Sequence, residues 1–446
     1  MHTLEEIETH REQIDALNLA SARPDPFSTF EFYENYLRNE ERFPRRDGLR
    51  LWFLVAFAAG RLVAYLALRQ VAHKIMGLRA LQVDCLTAYT ADRPHLVVEP
   101  EHANEVSEAF YAYLLKRRQE WSLLEFQQQD QASPLFPPPA AVDFKGCRVR
   151  QWPNMDNGTI PVRWDTVHEY FGAFSKKFRS NVSRQIRTLF SAGKVESLMS
   201  SDPAITPYLF ELYRIVESRS WKSKADAPNG RDPKWVEYYK GLLGARQPMH
   251  VSIHVLLLDG MPIAGLINGS FQKGLYALHI AYDQGLSRLA PGAAVLLMGM
   301  RQAIDGRFAF FDLLWGFGYY KTRWLAEMTG TRSVQIYRTG GIFFWQRMLG
   351  DLKRRMLGRG TGREPALFNP VSRDVCEFRA ASSTGLAPEM SADEKKRVAV
   401  VLARVRQGQG EFLSQEALAS VMPFETQRNA ALGIERERGS QSLTLH

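Results

Sequence analysis

The sequence predicts a mixed α/β (α+β) chain built from two similar units, and two observations carry that prediction. Apolar runs at Leu51–Ala59 and Leu62–Leu68, split by Gly60-Arg61, read as a buried β-hairpin; Val251–Leu258, a turn at Asp259-Gly260 and Ile263–Phe271 read as another. At an offset of 200, Val55 meets Val255, Gly60 meets Gly260, Val63 meets Ile263, Ala64 meets Ala264 and Leu66 meets Leu266. Each hairpin is followed by a further strand, a helix and a strand, an order that points to internal duplication.

The elements follow in sequence. A polar helix over about 3–18 precedes Pro24-Asp25-Pro26-Phe27, which marks entry into the first compact unit. A strand is expected at 78–86, a helix over 101–120 with Val106, Phe110, Tyr113, Leu114 and Arg117 at helical spacing, and a strand at Trp121–Phe126. Ser133-Pro134-Leu135-Phe136-Pro137-Pro138-Pro139 is a stiff break, because consecutive prolines join neither a helix nor an inner strand. The expected division is an N-terminal helix at 1–24, a first domain at 25–140, a second at 141–362 and a polar tail at 363–446. Within the tail, Ser391-Ala392-Asp393-Glu394 is a capping box opening a helix with Val398, Val401, Leu402 and Val405 on one face. The tail is expected to be loosely attached.

Composition narrows the classes. The chain has 446 residues, and its 57 Lys and Arg against 48 Asp and Glu leave a net charge of +9. With 45% apolar residues it has ample material for large cores. No early apolar run approaches the ~20 residues that span a bilayer, and acidic Met1–Ala20 lacks the apolar centre of a secretory leader. Cys85, Cys147 and Cys376 are scattered, which excludes a disulfide framework or a CxxC site and suits a cytoplasmic location. The charge attracts anions but is too small to argue for DNA.

Residues 275–324 carry the chemistry. Leu275–Asp283 reads as a strand with Tyr276, Leu278, Ile280 and Tyr282 on one face and Ala277, His279, Ala281 and Asp283 on the other. Small alanines beside the polar groups leave room for a ligand. A loop at 284–290 containing Arg288 leads to Pro291-Gly292-Ala293-Ala294, which opens a helix to about Asp305. Its free N–H groups and dipole suit a phosphate, with Arg288 adding an ion pair. The plain alternative is a βαβ unit with a Pro-Gly helix start. Next, Phe310-Phe311-Asp312-Leu313-Leu314-Trp315-Gly316 sets one carboxylate in an aromatic run, followed by Tyr319-Tyr320-Lys321. Asp is disfavoured in a buried strand unless it is paired or used; the alternatives are a base or a salt bridge to Lys321 or Arg323.

Ala281-Tyr282-Asp283, Ala290-Pro291-Gly292, and Phe311-Asp312 with Gly316 and Tyr320-Lys321 together resemble the CelD/BcsL-type acetyltransferases. Phe174–Arg187 resembles their basic helix and Glu217-Ser218-Arg219-Ser220-Trp221-Lys222 their Trp-containing segment, so the resemblance covers about 25–350. It implies a tandem GNAT-like acyl-CoA N-acyltransferase fold, with mixed central sheets flanked by helices, related to FemAB-type transferases. It also implies acetyl-CoA or another acyl-CoA as co-substrate, no metal, and a sugar, amino sugar or envelope polysaccharide precursor as acceptor. Transfer would be direct, with the thioester wedged between splayed strands at 275–283 and 308–315. The implied catalytic residues are Asp312, His279, Tyr320 and Lys321, with Tyr282 as an alternative acid to Tyr320 and Asp283 as a third base. Arg288, Ala290, Pro291, Gly292 and Ala293 would hold the cofactor; Lys177, Arg179, Arg184, Trp221 and Asp283 would meet the acceptor. Between Asp84 and Glu101 the first unit has no glycine and no Pro-Gly helix start, so it is expected to have lost CoA binding.

Three further features have two readings each. His250 and His254 share a strand face, but no third ligand is near in sequence, so a structural role is expected over a metal. Phe171–Val195 has six basic residues and no acid; it is either a solvated face or an anion site for the CoA 3′-phosphate, a glycan or tRNA. Phe343–Leu357 is basic and amphipathic, expected to pack on the second domain, with docking at the inner membrane face as the alternative. RNA is the disfavoured partner. The rival functions are a FemAB-like aminoacyl-tRNA-dependent transferase and an inactive GNAT-fold binding subunit.

Overall fold

The computed structural model describes residues 1–44, 48–75, 77–87, 93–220, 232–244, 248–316, 319–356, 391–405, 407 and 410–422. The first half of the chain supplies strands β1 (Leu49–Ala58), β2 (Arg61–Ile75), β3 (Leu78–Cys85), β4 (Val97–Val98), β5 (Leu123–Gln129), β6 (Cys147–Pro153) and β7 (Asn157–Pro161). The second supplies β8 (Val195–Ser200), β9 (His250–Leu258), β10 (Met261–Phe271), β11 (Gly274–Tyr282), β12 (Phe310–Trp315), β13 (Glu327–Thr329), β14 (Arg332–Arg338) and β15 (Glu411–Leu413). The early helices are α1 (Leu4–Glu8), α2 (Arg11–Ala20), α3 (Phe30–Arg42), α4 (Ala103–Lys116), α5 (Val167–Gly172), α6 (Lys176–Ser191), α7 (Thr206–Ser218) and α8 (Pro233–Leu242). They are followed by α9 (Pro291–Asp305), α10 (Tyr319–Arg323), α11 (Ile342–Met356), α12 (Ala392–Arg404) and α13 (Gln415–Val421).

Two mixed sheets result. One runs β1-β2-β3-β5-β14-β6 with β4 beside β2, the other β15-β8-β9-β10-β11-β12-β7-β13. The run β9-β10-β11-β12-β7-β13 repeats β1-β2-β3-β5-β14-β6 strand for strand, and each run contains one parallel pair, β11/β12 and β3/β5. The duplicated hairpins share even their turns. Ala59-Gly60 and Asp259-Gly260 all have positive φ, between 49° and 79°, which is the two-residue turn whose twist matches paired antiparallel strands. Glycine at the second position removes the Cβ penalty of that backbone.

The linear division at 140 does not describe how the sheets are built. β6 and β14, at 147–153 and 332–338, belong to the first sheet, where β14 sits between β5 and β6. β7 goes the other way, inserting between β12 and β13 of the second. Hydrophobic pattern marks a strand but not its sheet, so the exchange was invisible in sequence.

The largest core lies between the sheets. α1–α3, α7 and α8 bring Ile14, Phe30, Phe32, Tyr213 and Tyr239 against Phe53 and Tyr65 of one sheet and Ile253 and Val255 of the other. Residues 1–24 are therefore two helices integral to this core. The outer face of the second sheet is covered by α5, α6 and α9, that of the first by α4. Parts of the tail are also integral, contrary to expectation. Val398, Val401 and Val405 join the central core, Arg219 pairs with Glu394, Arg301 with Glu411 at 2.8 Å, and β15 extends the second sheet from β8. Residues 363–390 and 423–446 lie outside the described residues.

At the end of the first unit's parallel pair, Asp84 lies opposite Glu125. Gln82 Nε2 donates to both carboxylates at 3.1 Å, Arg69 holds Asp84 at 2.8 Å, and Gln335 Nε2 donates to Glu125 at 3.0 Å. This mouth is filled by the protein's own side chains. Burial pushes the Glu125 carboxyl up to about 7, opposed by the hydrogen bond from Gln335. A folded carboxyl raised above its unfolded value binds extra protons only when folded, so stability falls as pH climbs from the ordinary carboxylate range to about 7. Its contribution is of order 3 kcal/mol. Urea unfolding between pH 4.5 and 8 should show that slope, and Glu125→Gln should flatten it.

Candidate active site

The site begins where a ladder stops. β11 and β12 pair only over Gly274–Tyr276 with Phe310–Asp312, so Ala277–Tyr282 and Leu313–Trp315 lie beyond the ladder. Two irregularities shape the gap. On β11, Ile267 faces His279 and Asn268 faces Ala277, so Leu278 is an extra residue, a β-bulge. The bulge corrects the expected alternation. Tyr276, Leu278 and Ala281 lie in the central core, and the His279 ring meets Tyr213 from that side, whereas Ala277, Ile280 and Tyr282 pack on the outer core. On β12, Leu314 has φ +56° and Gly316 φ +133°, which break its register with β7.

Buried backbone groups left by such a break need partners, and β12 takes them from side chains. Asp312 Oδ1 accepts the Leu314 N–H at 2.8 Å, while Lys321 Nζ donates to the carbonyls of Leu313 at 3.0 Å and Leu314 at 2.5 Å. Asp312 Oδ2 accepts from Arg93 Nη2 at 2.5 Å, across the interface from the first unit. The salt bridge weighed for Asp312 is thus made by Arg93, a residue sequence reading passed over, and not by Lys321 or Arg323. Both Asp312 oxygens are engaged and the residue is 2% exposed, an arrangement that holds β12 rather than one that leaves a base open. Tyr320, on α10, is exposed.

At the far end of β11 the chain forms a short 3₁₀ turn over Gln284–Leu289 and enters α9. Ala290 is left-handed, Pro291 occupies the first helical position, and no side chain caps the helix. The Ala293 N–H bonds the Ala290 carbonyl; among the described residues, no partner takes the N–H group of Gly292. α9 sits close to the sheet, since a Cβ at Gly299 would lie 2.6 Å from Leu266. At Gly292 it would lie 3.0 Å from the Tyr282 ring, so that ring lies against the helix start. Arg288 is exposed beside it. α6 packs against both the turn and α9, which places the basic segment next to the open helix end. On it Lys177 and Arg184 are exposed, and Arg179 donates to the Gly172 carbonyl at 2.7 Å.

The central-core side of β11 holds a polar cluster. His279 Nδ1 lies 2.5 Å from the Tyr213 hydroxyl, and its ring is 5.2 Å from Trp235 and 5.8 Å from Tyr239. Asp283 is 2% exposed; its Oδ1 accepts the Gly285 N–H at 2.8 Å, and its Oδ2 has no partner among the described residues. Burial raises its carboxyl above the ordinary range, against the Gly285 N–H and the Arg219 charge. Arg219 Nη1 and the Tyr239 hydroxyl are also without hydrogen-bond partners among the described residues, and Glu217 is fully buried one turn after Tyr213. A carboxylate on the apolar face of α7, with Leu209, Leu212, Tyr213 and Val216, was the signal that could have found this group. Trp221 lies outside the described residues. His254 Nε2 lies 2.8 Å from Gln302 Oε1, so His254 serves to seat α9, whereas His250 is exposed.

Residues 176–322 match the family described as "Acetyltransferase (GNAT) domain". No curated protein matches the sequence. Solved structures similar in outline include the C-terminal domain of a putative lysylphosphatidylglycerol synthetase from Agrobacterium fabrum, at 10% identity and TM-score 0.47, covering 81% of this chain and 100% of that one. FemX matches at 11% identity and TM-score 0.49, covering 77% and 98%. A tandem GNAT protein from the clavulanic acid biosynthesis pathway matches at 12% identity and TM-score 0.43, covering 75% and 95%. The opened parallel pair and the uncapped helix both fall inside the stretch similar to a GNAT acetyltransferase domain, and the protein is an acyltransferase.

Proposed function

We propose that the second unit binds an acyl-CoA, with acetyl-CoA the first choice. Its diphosphate lies on the start of α9 at the Gly292 N–H, flanked by Arg288 and α6, and its thioester lies in the gap beside β11. The carrying observation is the three-pair ladder between β11 and β12, ending beside an uncapped helix start. The acceptor, an amine or hydroxyl on a sugar, amino sugar or envelope polysaccharide precursor, enters from the α7 and α8 side, where His279 faces Tyr213 and Tyr239 and Asp283 meets the Arg219 charge. Positioning supplies most of the rate gain, and a base supplies the remainder.

In the transfer step the acceptor oxygen or nitrogen attacks the thioester carbonyl; the new C–O or C–N bond replaces C–S. The acceptor proton passes to His279 Nε2, in the tautomer whose Nδ1–H donates to the Tyr213 oxygen. The departing thiolate takes a proton from Tyr282, whose phenol burial keeps neutral. Asp283 is the alternative base, since burial raises its proton affinity. Asp312 and Lys321 act as positioning residues that hold β12 open.

Acetyl-CoA at a hundredfold over its dissociation constant should stabilise the protein by about 2.7 kcal/mol, a melting shift of several degrees. Gly292→Glu, which puts negative charge at the helix start, should abolish that shift. A chain using only aminoacyl-tRNA would show none. Once an acceptor is found, His279→Ala should lower kcat by about 10²–10⁴-fold with little change in KM for acetyl-CoA. Asp312→Asn should lower the melting temperature more than it lowers kcat; the reverse result would restore Asp312 as the base.

A further inference from the structure

Among the described residues, α11 is attached to the molecule by one side only. Phe343 is buried against Ala80, Leu123 and Tyr337 of the first sheet, and Arg347 Nη2 donates to Gln335 Oε1 at 2.5 Å, which in turn joins the Glu125 network. The helix therefore packs on the first unit, not on the second as the sequence suggested. Its other side is open. Trp345 is 47% exposed, Met348 43%, Leu349 44% and Leu352 53%. These are four of the ten most exposed large apolar side chains among the described residues, so one helix concentrates what the rest of the surface scatters.

Their spacing of three, four and seven residues makes a single stripe. By helical spacing alone, positions 353 and 355 fall about 80° to either side of Trp345, and the sequence places Lys353 and Arg355 there. Across residues 342–363 there are six Lys and Arg (347, 353, 354, 355, 359, 363) against one acid, Asp351. An apolar stripe containing Trp, edged on both sides by long cationic side chains, is the pattern of a helix lying in the plane of an anionic membrane surface. The stripe enters the acyl boundary while Lys and Arg reach the headgroups. Each cation near such a surface contributes about 1 kcal/mol. A second protein would need a matched acidic groove, and a second copy of this chain would set one cationic edge against another. The charge selects the lipid.

We propose that α11 docks the protein peripherally on an anionic lipid surface through Trp345, Met348, Leu349 and Leu352. The proposal is independent of whether the second unit binds acyl-CoA. The full chain should co-sediment with mixed phosphatidylglycerol and phosphatidylcholine vesicles and hardly at all with pure phosphatidylcholine, and added salt should release it. Leu349→Glu with Leu352→Glu should weaken partitioning by at least about tenfold with an unchanged melting temperature, since both side chains are half exposed. Lys353→Glu with Arg355→Glu should remove the preference for the anionic vesicles. Failure of the wild-type chain to bind phosphatidylglycerol vesicles overturns the proposal, as does equal binding to both vesicle types. Retained binding in the Leu349/Leu352 variant assigns docking to another surface and also overturns it. So does a wild-type dimer, seen by light scattering without lipid, that the same variant dissociates.

Discussion

Everything in the candidate site depends on a parallel strand pair that stops after three residues. A sheet resists such an opening, because each backbone N–H and C=O it frees must find a new partner or go unsatisfied. This chain meets that cost unequally. Along β12 it uses side chains, with Asp312 on the Leu314 amide and Lys321 on two carbonyls. Along β11 the bulge at Leu278 turns the strand and leaves its edge toward the gap. One wall of the gap is thus fixed and the other still able to bond.

The two units show what becomes of the same opening under different sequences. In the first, the residues at the mouth are Asp84 and Glu125, and glutamines and arginines close around them. In the second, the corresponding residues are Tyr276 and Asp312, and a single arginine arrives from the neighbouring unit. Duplication thus produced one mouth sealed by a charged network and one whose charge is compensated from outside. Arg93 makes the first unit part of the second unit's support, so a change in one reaches the strand break of the other.

Local features were legible in the sequence. Hairpins with Gly60 and Gly260, the Pro291 helix start and the capping box at Ser391 depend on a few adjacent residues, and all formed as read. Features set by distant partners were not. Arg93 and Asp312 are 219 positions apart, and nothing in either neighbourhood marks the other. The bulge at Leu278 shifts no residue type, only the phase, so the faces of β11 were right before it and reversed after it. The polar cluster under β11 was half visible: His279 and Asp283 stood out on a strand, whereas Tyr213 and Tyr239 resembled ordinary core aromatics on helices.

The strand exchange has a consequence for how the molecule can be cut. If residues 1–140 were made alone, β5 would lack its neighbour β14 and offer a naked edge to any other chain, the usual start of aggregation. The complementary piece would lack the interface helices α1–α3 and keep β6 and β14 with no sheet to enter. The two halves are laced like hands with crossed fingers, so the smallest piece that could be studied in isolation is close to the whole.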